Sequence, residues 1–173
     1  MKKTCIFKMF CCLVVMLIAF SNVTEVDAYR FTEGAFTNPS NVQFSVSSSA
    51  GAYRDMITAC AETWETNCTE IGISYGSNGN IFVYGDLSVD TGAYAATVWA
   101  KSNPERKTIT LYKMFLDLNT VQKQETIVHE FGHAFGLDHC QFLKQSKSVM
   151  RATGFNNKAY PLSDDIAGIA ALY

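Results

Sequence analysis

The chain has 173 residues, a length that fits a single domain. Hydrophobic residues make up 48% of the sequence, which is enough apolar material for a compact core. The formal net charge of −2 at pH 7 argues against nucleic acid as a main partner, because phosphate binding requires a basic surface.

The first 28 residues differ in character from the rest. Lys2, Lys3 and Lys8 form a basic start, and an apolar run from Met9 to Phe20 follows. This run is shorter than the roughly 20 residues that a membrane-spanning helix needs. Polar residues then lead to Val26-Asp27-Ala28, the expected cleavage site. The pattern predicts a secretory signal peptide over residues 1–28 and an extracellular domain over 29–173, with no membrane association after cleavage.

Three of the six cysteines lie outside the predicted signal peptide, namely Cys60, Cys68 and Cys140. An odd number leaves at least one thiol unpaired within a monomer. Cys60 is four residues from both Met56 and Trp64, so the simplest interpretation is a buried thiol on a helix face. A disulfide between Cys60 and Cys68 would require the helix to break between them, and the pairing stays open.

Hydrophobic periodicity assigns the elements of the first half. The helical segment is Tyr53–Asn67. Alternating apolar residues predict short strands at Val42–Val46, Ile71–Tyr75 and Ile81–Tyr84. A loop rich in Gly, Asp and Ser is predicted over residues 85–96.

The second half begins with two predicted strands, Thr97–Lys101 and Thr108–Tyr112, joined by a turn at Asn103-Pro104. A strong helix follows, with Asn119 as N-cap, Gln122 completing a capping box and Gly136 as the stop signal. Its buried stripe is expected to contain Val121, Val128, Phe131 and Phe135. Coil over 137–162 leads to a last helix capped by Ser163. The order of elements is typical of an α+β domain with one sheet.

One segment contains most of the chemical information. His129 and His133 are four residues apart on the predicted helix, so their imidazoles project from the same face. Gly136 permits a left-handed turn that brings His139 back as a third ligand. Three imidazoles with one open position are typical of a catalytic zinc site, in contrast to a closed structural one. The three ligands are also the only histidines of the chain.

Glu130 follows His129 and is rotated about 100° around the helix axis, so it can flank the ion without binding it. Binding of a zinc ion alone does not need this carboxylate. Its position beside the ion therefore predicts that Glu130 is the general base of the reaction.

The segment from His129 to His139 has the spacing H-E-x-x-H-x-x-G-x-x-H, and the chain thereby resembles the metzincin peptidases. Met150 fits the methionine that this clan places in a tight turn beneath the zinc. The ending 162–173 and Trp64 are similar to the matrixin family. The resemblance implies a mixed, twisted sheet, two long helices of which the second carries the zinc motif, a coil with the Met-turn, and a C-terminal helix.

The sequence departs from the matrixin pattern in several ways. It has no recognisable propeptide cysteine, so the exported form is expected to be active without a proteolytic step. Residues 76–96 contain no histidine for a second, structural zinc. Calcium loops are not recognisable, and Asp86 and Asp90 are interpreted as solvated. We therefore expect one zinc ion per chain.

The resemblance implies a secreted zinc endopeptidase that acts on polypeptides, and a monomer is expected. The substrate is expected to extend along the edge strand Thr97–Lys101, and residues 140–160 to wall the pocket beneath the zinc. Two other functions stay open: a zinc-holding binding or adhesion module that has lost catalysis, and a zinc hydrolase of non-peptide amides.

Overall fold

The computed structural model describes residues 29–77 and 79–173. The predicted signal peptide therefore lies outside the described residues. Within these ranges no helix is both long and apolar enough to cross a membrane.

The domain is built on a five-stranded mixed sheet. Its strands are β1 (Val42–Val46), β2 (Ile73–Tyr75), β3 (Ile81–Asp86), β4 (Ala95–Ala100) and β5 (Asn103–Tyr112), in the spatial order β2-β1-β3-β5-β4. All neighbouring pairs are parallel except β4 with β5, which is antiparallel. Strand β4 is therefore an edge strand, as predicted for the segment that begins at Thr97.

Three α-helices complete the fold: α1 (Arg54–Asn67), α2 (Thr120–Ala134) and α3 (Ser163–Leu172). Alternation along β3 sorts Ile81 and Val83 to the buried face and Phe82 and Tyr84 to the exposed face. Helices α1 and α2 contact each other, and α2 also packs against β4 and β5. The α+β prediction is confirmed, with the core on one face of the sheet.

Most elements were predicted correctly from the sequence, but several predicted boundaries were wrong. The loop predicted over 85–96 is shorter, because β3 continues to Asp86 and β4 begins at Ala95. Strand β5 begins at Asn103, and the turn lies just before it. Pro104 is tolerated there because it lies near the start of the strand, beside an irregularity in pairing at Trp99/Ala100.

The helix ends also differ in detail from the predictions. The capping box of α2 is present, with Asn119 Oδ1 accepting from the Gln122 N–H at 3.0 Å. Val121, predicted to be buried, is 39% exposed. Ser163 is the first residue of α3 and not its cap; the Asp165 carboxylate instead accepts the Leu162 N–H at 2.8 Å. A 3-10 helix, Phe142–Lys147, interrupts the predicted coil.

An N-terminal arm, residues 30–32, pairs with the turn that follows α2. The Thr32 N–H donates to the Gly136 carbonyl, and the Asp138 N–H donates to the Arg30 carbonyl, both at 2.8 Å. Phe31 and Leu137 form an antiparallel bridge between them. The arm therefore fixes the backbone immediately before His139.

The three cysteines of the described chain, Cys60, Cys68 and Cys140, are buried free thiols. Cys60 lies on the inner face of α1, as predicted. Burial raises the pKa of the Cys60 and Cys68 thiols to about 12, so both stay protonated and unreactive at neutral pH.

Candidate metal centre and active-site cleft

Three histidines converge at the C-terminal end of α2. His129 and His133 project from one face of the helix, and His139 comes from the loop beyond it. One ring nitrogen from each lies within 4.8 Å of the other two. Among the residues the structure describes, this is the only group of three or more potential ligands of this kind.

The turn between helix and third histidine depends on Gly136, which has a φ of +97°. Residues with a Cβ are strained in this region of φ, and a Cβ here would also crowd Leu172 and Ala35. The sequence prediction of a left-handed turn at this position is confirmed.

Backbone carbonyls set the tautomers of the two helical histidines. His129 Nδ1 lies 2.8 Å from the Val149 carbonyl, and His133 Nδ1 lies 2.8 Å from the Leu137 carbonyl. A carbonyl oxygen only accepts, so in each neutral ring Nδ1 holds the proton and Nε2 presents a free lone pair. Backbone carbonyls of this kind orient metal-binding histidines in many proteins.

The electrostatics also suit a metal ligand. Burial lowers the pKa of His129 and of His133 to about 4, and the hydrogen bonds to the carbonyls offset this only in part. Both rings are therefore neutral at pH 7, as coordination requires.

The spacing of the ring nitrogens matches a tetrahedral ion. His133 Nε2 and His139 Nε2 are 3.3 Å apart. Two nitrogens bound at 2.0–2.1 Å to one tetrahedral zinc would be separated by about 3.3–3.4 Å. The donor set and its geometry therefore fit zinc with one position left open.

A second layer of residues supports the histidines from below. Gly132 lies on α2 between the first two histidines, and a Cβ there would collide with Met150 and press against Trp64. Both side chains thus pack directly on the helix backbone, and the Trp64 indole N–H donates to the Val128 carbonyl at 3.1 Å. The predicted place of Met150 beneath the histidines is consistent with this contact.

Asp165 of α3 holds the turn that contains Met150. Its carboxylate accepts from the Ser148 hydroxyl and, at 2.9 Å, from the Val149 N–H. The Ser148 oxygen in turn accepts the Met150 N–H at 2.9 Å. Because Val149 also provides the carbonyl for His129, α3 contributes to the orientation of the first histidine.

Glu130 is 5% exposed and lies in the same cleft as the histidines. Its Oε2 is 2.7 Å from the Thr97 hydroxyl of β4. Burial raises the pKa of Glu130 above the ordinary carboxyl range, while nearby His133 and the Thr97 hydrogen bond partly counter this effect. A carboxyl with a raised pKa is better matched to proton transfer near neutral pH.

The cleft encloses about 550 Å³ between β4 and the segment after Met150. Its lining includes Tyr94, residues 95–97 of the edge strand, the three histidines, and residues 151–155. The sequence had assigned the pocket wall to the coil of residues 140–160, and part of that coil does line the cleft.

Glu125 anchors this wall. Its buried carboxylate accepts the Asn156 N–H at 2.7 Å and the Lys158 N–H at 3.0 Å. Arg151 holds the same loop from the other side by donating to the Thr153 and Phe155 carbonyls, each at 3.0 Å. We call residues 151–158 the wall loop. Sequence analysis did not single out Glu125, because an acidic residue inside a helix gives no sign of the loop that it binds.

Replacing Glu125 with Leu is expected to loosen the wall loop, because two backbone N–H groups would lose their acceptor. The free energy of unfolding should fall by about 1.5–3 kcal/mol, the usual range for hydrogen bonds to a charged group. The KM for a peptide that fills the cleft should rise about tenfold, equivalent to 1.4 kcal/mol. Urea unfolding and peptide kinetics measure the two effects.

The matched control is Glu65→Leu, which changes an exposed glutamate of α1. It should leave both quantities near their wild-type values. A Glu125→Leu protein with unchanged stability and unchanged KM would show that the carboxylate does not hold the loop.

Comparison with known proteins gives the chain a family. The family model described as Matrixin matches residues 18–173, which is most of the sequence. The chain belongs to the matrixin family. It is therefore a zinc metalloendopeptidase, and the resemblance identified from its sequence is confirmed.

The fold of this matrixin is also found in solved structures. "Structure of myroilysin" matches with a TM-score of 0.60 at 13% identity, over 84% of this chain and 98% of that chain. "Crystal structure of myroilysin" matches with a TM-score of 0.60 at 14% identity, over 81% and 86% of the respective chains. At such low identity the likeness concerns the fold alone. No curated protein matches the chain.

Proposed function

We propose that this matrixin is a secreted endopeptidase in which His129, His133 and His139 hold the catalytic zinc and Glu130 is the general base. The observation that supports this assignment best is the convergence of three imidazole nitrogens beside a buried carboxylate in one cleft. When bound, a zinc ion supplies Lewis acidity, which acidifies water and polarises the scissile carbonyl.

The residues of the chain divide the remaining work. The Val149 and Leu137 carbonyls keep His129 and His133 in the tautomer that binds a metal. Glu130 accepts a proton from the attacking water and passes it to the leaving amine. Its burial excludes bulk water, and the raised pKa lets the carboxyl hold the proton between these two steps.

Substrate binding is assigned to the free edge of β4. An extended peptide can add to an exposed strand through main-chain hydrogen bonds, while alternate side chains enter pockets. β4 borders the cleft on one side, and the wall loop borders it on the other side. The proposed path therefore carries a peptide past the histidines, with one side chain directed between α2 and the wall loop.

Digestion of casein tests the proposal. Wild-type protein should release peptides, a chelator should stop the release, and added zinc should restore it. Cleavage of small non-peptide amides without any attack on casein would support the alternative hydrolase. Zinc binding without any turnover would support a binding or adhesion module.

Secretion is proposed from the sequence pattern of residues 1–28. Expression of residues 1–173 in an exporting host should release a protein that begins at Tyr29, measured by N-terminal sequencing. A cell-bound product that retains Lys2 and Lys3 would contradict the assignment.

A further inference from the structure

A hydroxyl group of the edge strand reaches the carboxylate proposed as the general base. Thr97 Oγ1 lies 2.7 Å from Glu130 Oε2 and 3.0 Å from the Glu130 backbone carbonyl. The shorter distance is in the range for a hydroxyl that donates to an ionised carboxylate. Among the residues the structure describes, Thr97 is the only hydrogen-bond donor to this carboxylate.

Glu130 needs such a partner because its side chain has three rotatable bonds. An unrestrained carboxylate would spend much of its time away from the position required for proton transfer. Thr97 is well suited to restrain it, since a β-branched side chain on a strand has limited freedom at χ1. Thr97 is half-buried on the face of β4 that meets α2, and its backbone is held by pairing with Ile109 of β5.

We propose that Thr97 is a positioning residue that holds the Glu130 carboxylate in its reactive orientation. The inference rests on the proposed function, in which Glu130 is the base. It adds a coupling between two parts of the site: the strand proposed to bind the peptide backbone also fixes the group that transfers the proton. Substrate alignment and base alignment then share one rigid element.

The test compares Thr97→Val with Thr97→Ser in zinc-loaded protein. Valine has nearly the same shape but no hydroxyl, whereas serine keeps the hydroxyl. Loss of an outer residue that orients a metal ligand typically costs about 10–100-fold, and we expect a similar factor for a residue that orients the general base. Thr97→Val should lower kcat by about this factor and change KM less than about twofold, because the β4 backbone remains in place. Thr97→Ser should retain kcat within about threefold.

A double-mutant cycle separates positioning from general disturbance. Glu130→Asp shortens the side chain and withdraws the carboxylate from Thr97. In that background Thr97→Val should cost less than about threefold, since the two substitutions remove the same contact. The matched control is Thr108→Val on β5, which removes a hydroxyl from a residue paired with the exposed Val98, on the face away from the cleft. It should leave kcat unchanged.

The inference is overturned if Thr97→Val keeps the wild-type kcat, if Thr97→Ser is as impaired as Thr97→Val, or if the loss is in KM. The inference is also overturned if Thr97→Val lowers kcat by the same factor in the Glu130→Asp background as in the wild type. In each of these cases casein digestion by the wild type continues, so the proposed function stands. A wild type that cleaves no peptide overturns the proposed function and this inference with it.

Discussion

Replacing Glu130 with Gln is expected to lower kcat for peptide hydrolysis by 10²–10⁴-fold or more, the typical contribution of a general base. Glutamine preserves the volume of the buried side chain but cannot accept the proton from water. The three histidines are unchanged, so the zinc content should stay at about one ion per chain. Fluorogenic peptide kinetics and elemental analysis of the same sample measure both quantities.

The control for this substitution is Glu65→Gln, which removes one exposed carboxylate from α1. It should retain wild-type activity. A Glu130→Gln protein that digests casein at the wild-type rate would exclude Glu130 as the base. If its zinc were also lost, the residue would have a structural role that the present arrangement does not indicate.

The second large effect is expected from His133→Ala. His133 is the middle ligand of the proposed site and lies only 3.3 Å from His139 through their Nε2 atoms. Without it two protein nitrogens remain, too few for a tightly bound ion. After dialysis the zinc content should fall from about one ion per chain to near zero, and peptidase activity should fall with it.

Thermal unfolding provides an independent measure of the same event. Free zinc at about 100 times its dissociation constant should stabilise the wild type by about 2.7 kcal/mol over the chelated protein. The His133→Ala protein should unfold at the same temperature with zinc or chelator. Cys68→Ala should retain the zinc, because this buried thiol is not part of the histidine cluster. A zinc content near two ions in the wild type, or a His133→Ala protein that keeps its zinc, would mean that another site exists.

The convergence of the three histidines could be predicted from the sequence because its geometry is local. Two of the histidines lie one helical turn apart, and a turn at a single glycine brings the third beside them, so spacing alone defines their arrangement. The capping box at Asn119 is equally local, and the structure contains it. Strand and helix types were assigned correctly because they follow from periodicity over a few residues.

Contacts between distant segments could not be predicted in this way. Periodicity places Thr97 on a strand and Glu130 on a helix, but it does not tell which residue of one faces which residue of the other. The sequence likewise gives no sign that the Asp165 carboxylate anchors Ser148 and Val149. Each role depends on tertiary packing that brings two elements together.

Boundary errors have a similar origin. Ala95 and Ala96 have weak strand preference, and the polar residues before them suggested a loop. They are strand residues because they pair with Leu111 and Thr110 of β5. Pairing with a neighbouring strand outweighs the intrinsic preference of two alanines.

The N-terminal arm has a consequence for the order in which this protein acquires its metal. His129 and His133 come into register as soon as α2 forms, which is a fast and local event. The backbone before His139 is held by Arg30 and Thr32, which lie more than 100 residues earlier in the sequence. Contacts of such large sequence separation form late, because the entropy of closing a long loop must be overcome first. Tight zinc binding should therefore mark the completion of folding, and the chain is not a peptidase until the N-terminal arm has docked on the turn after α2.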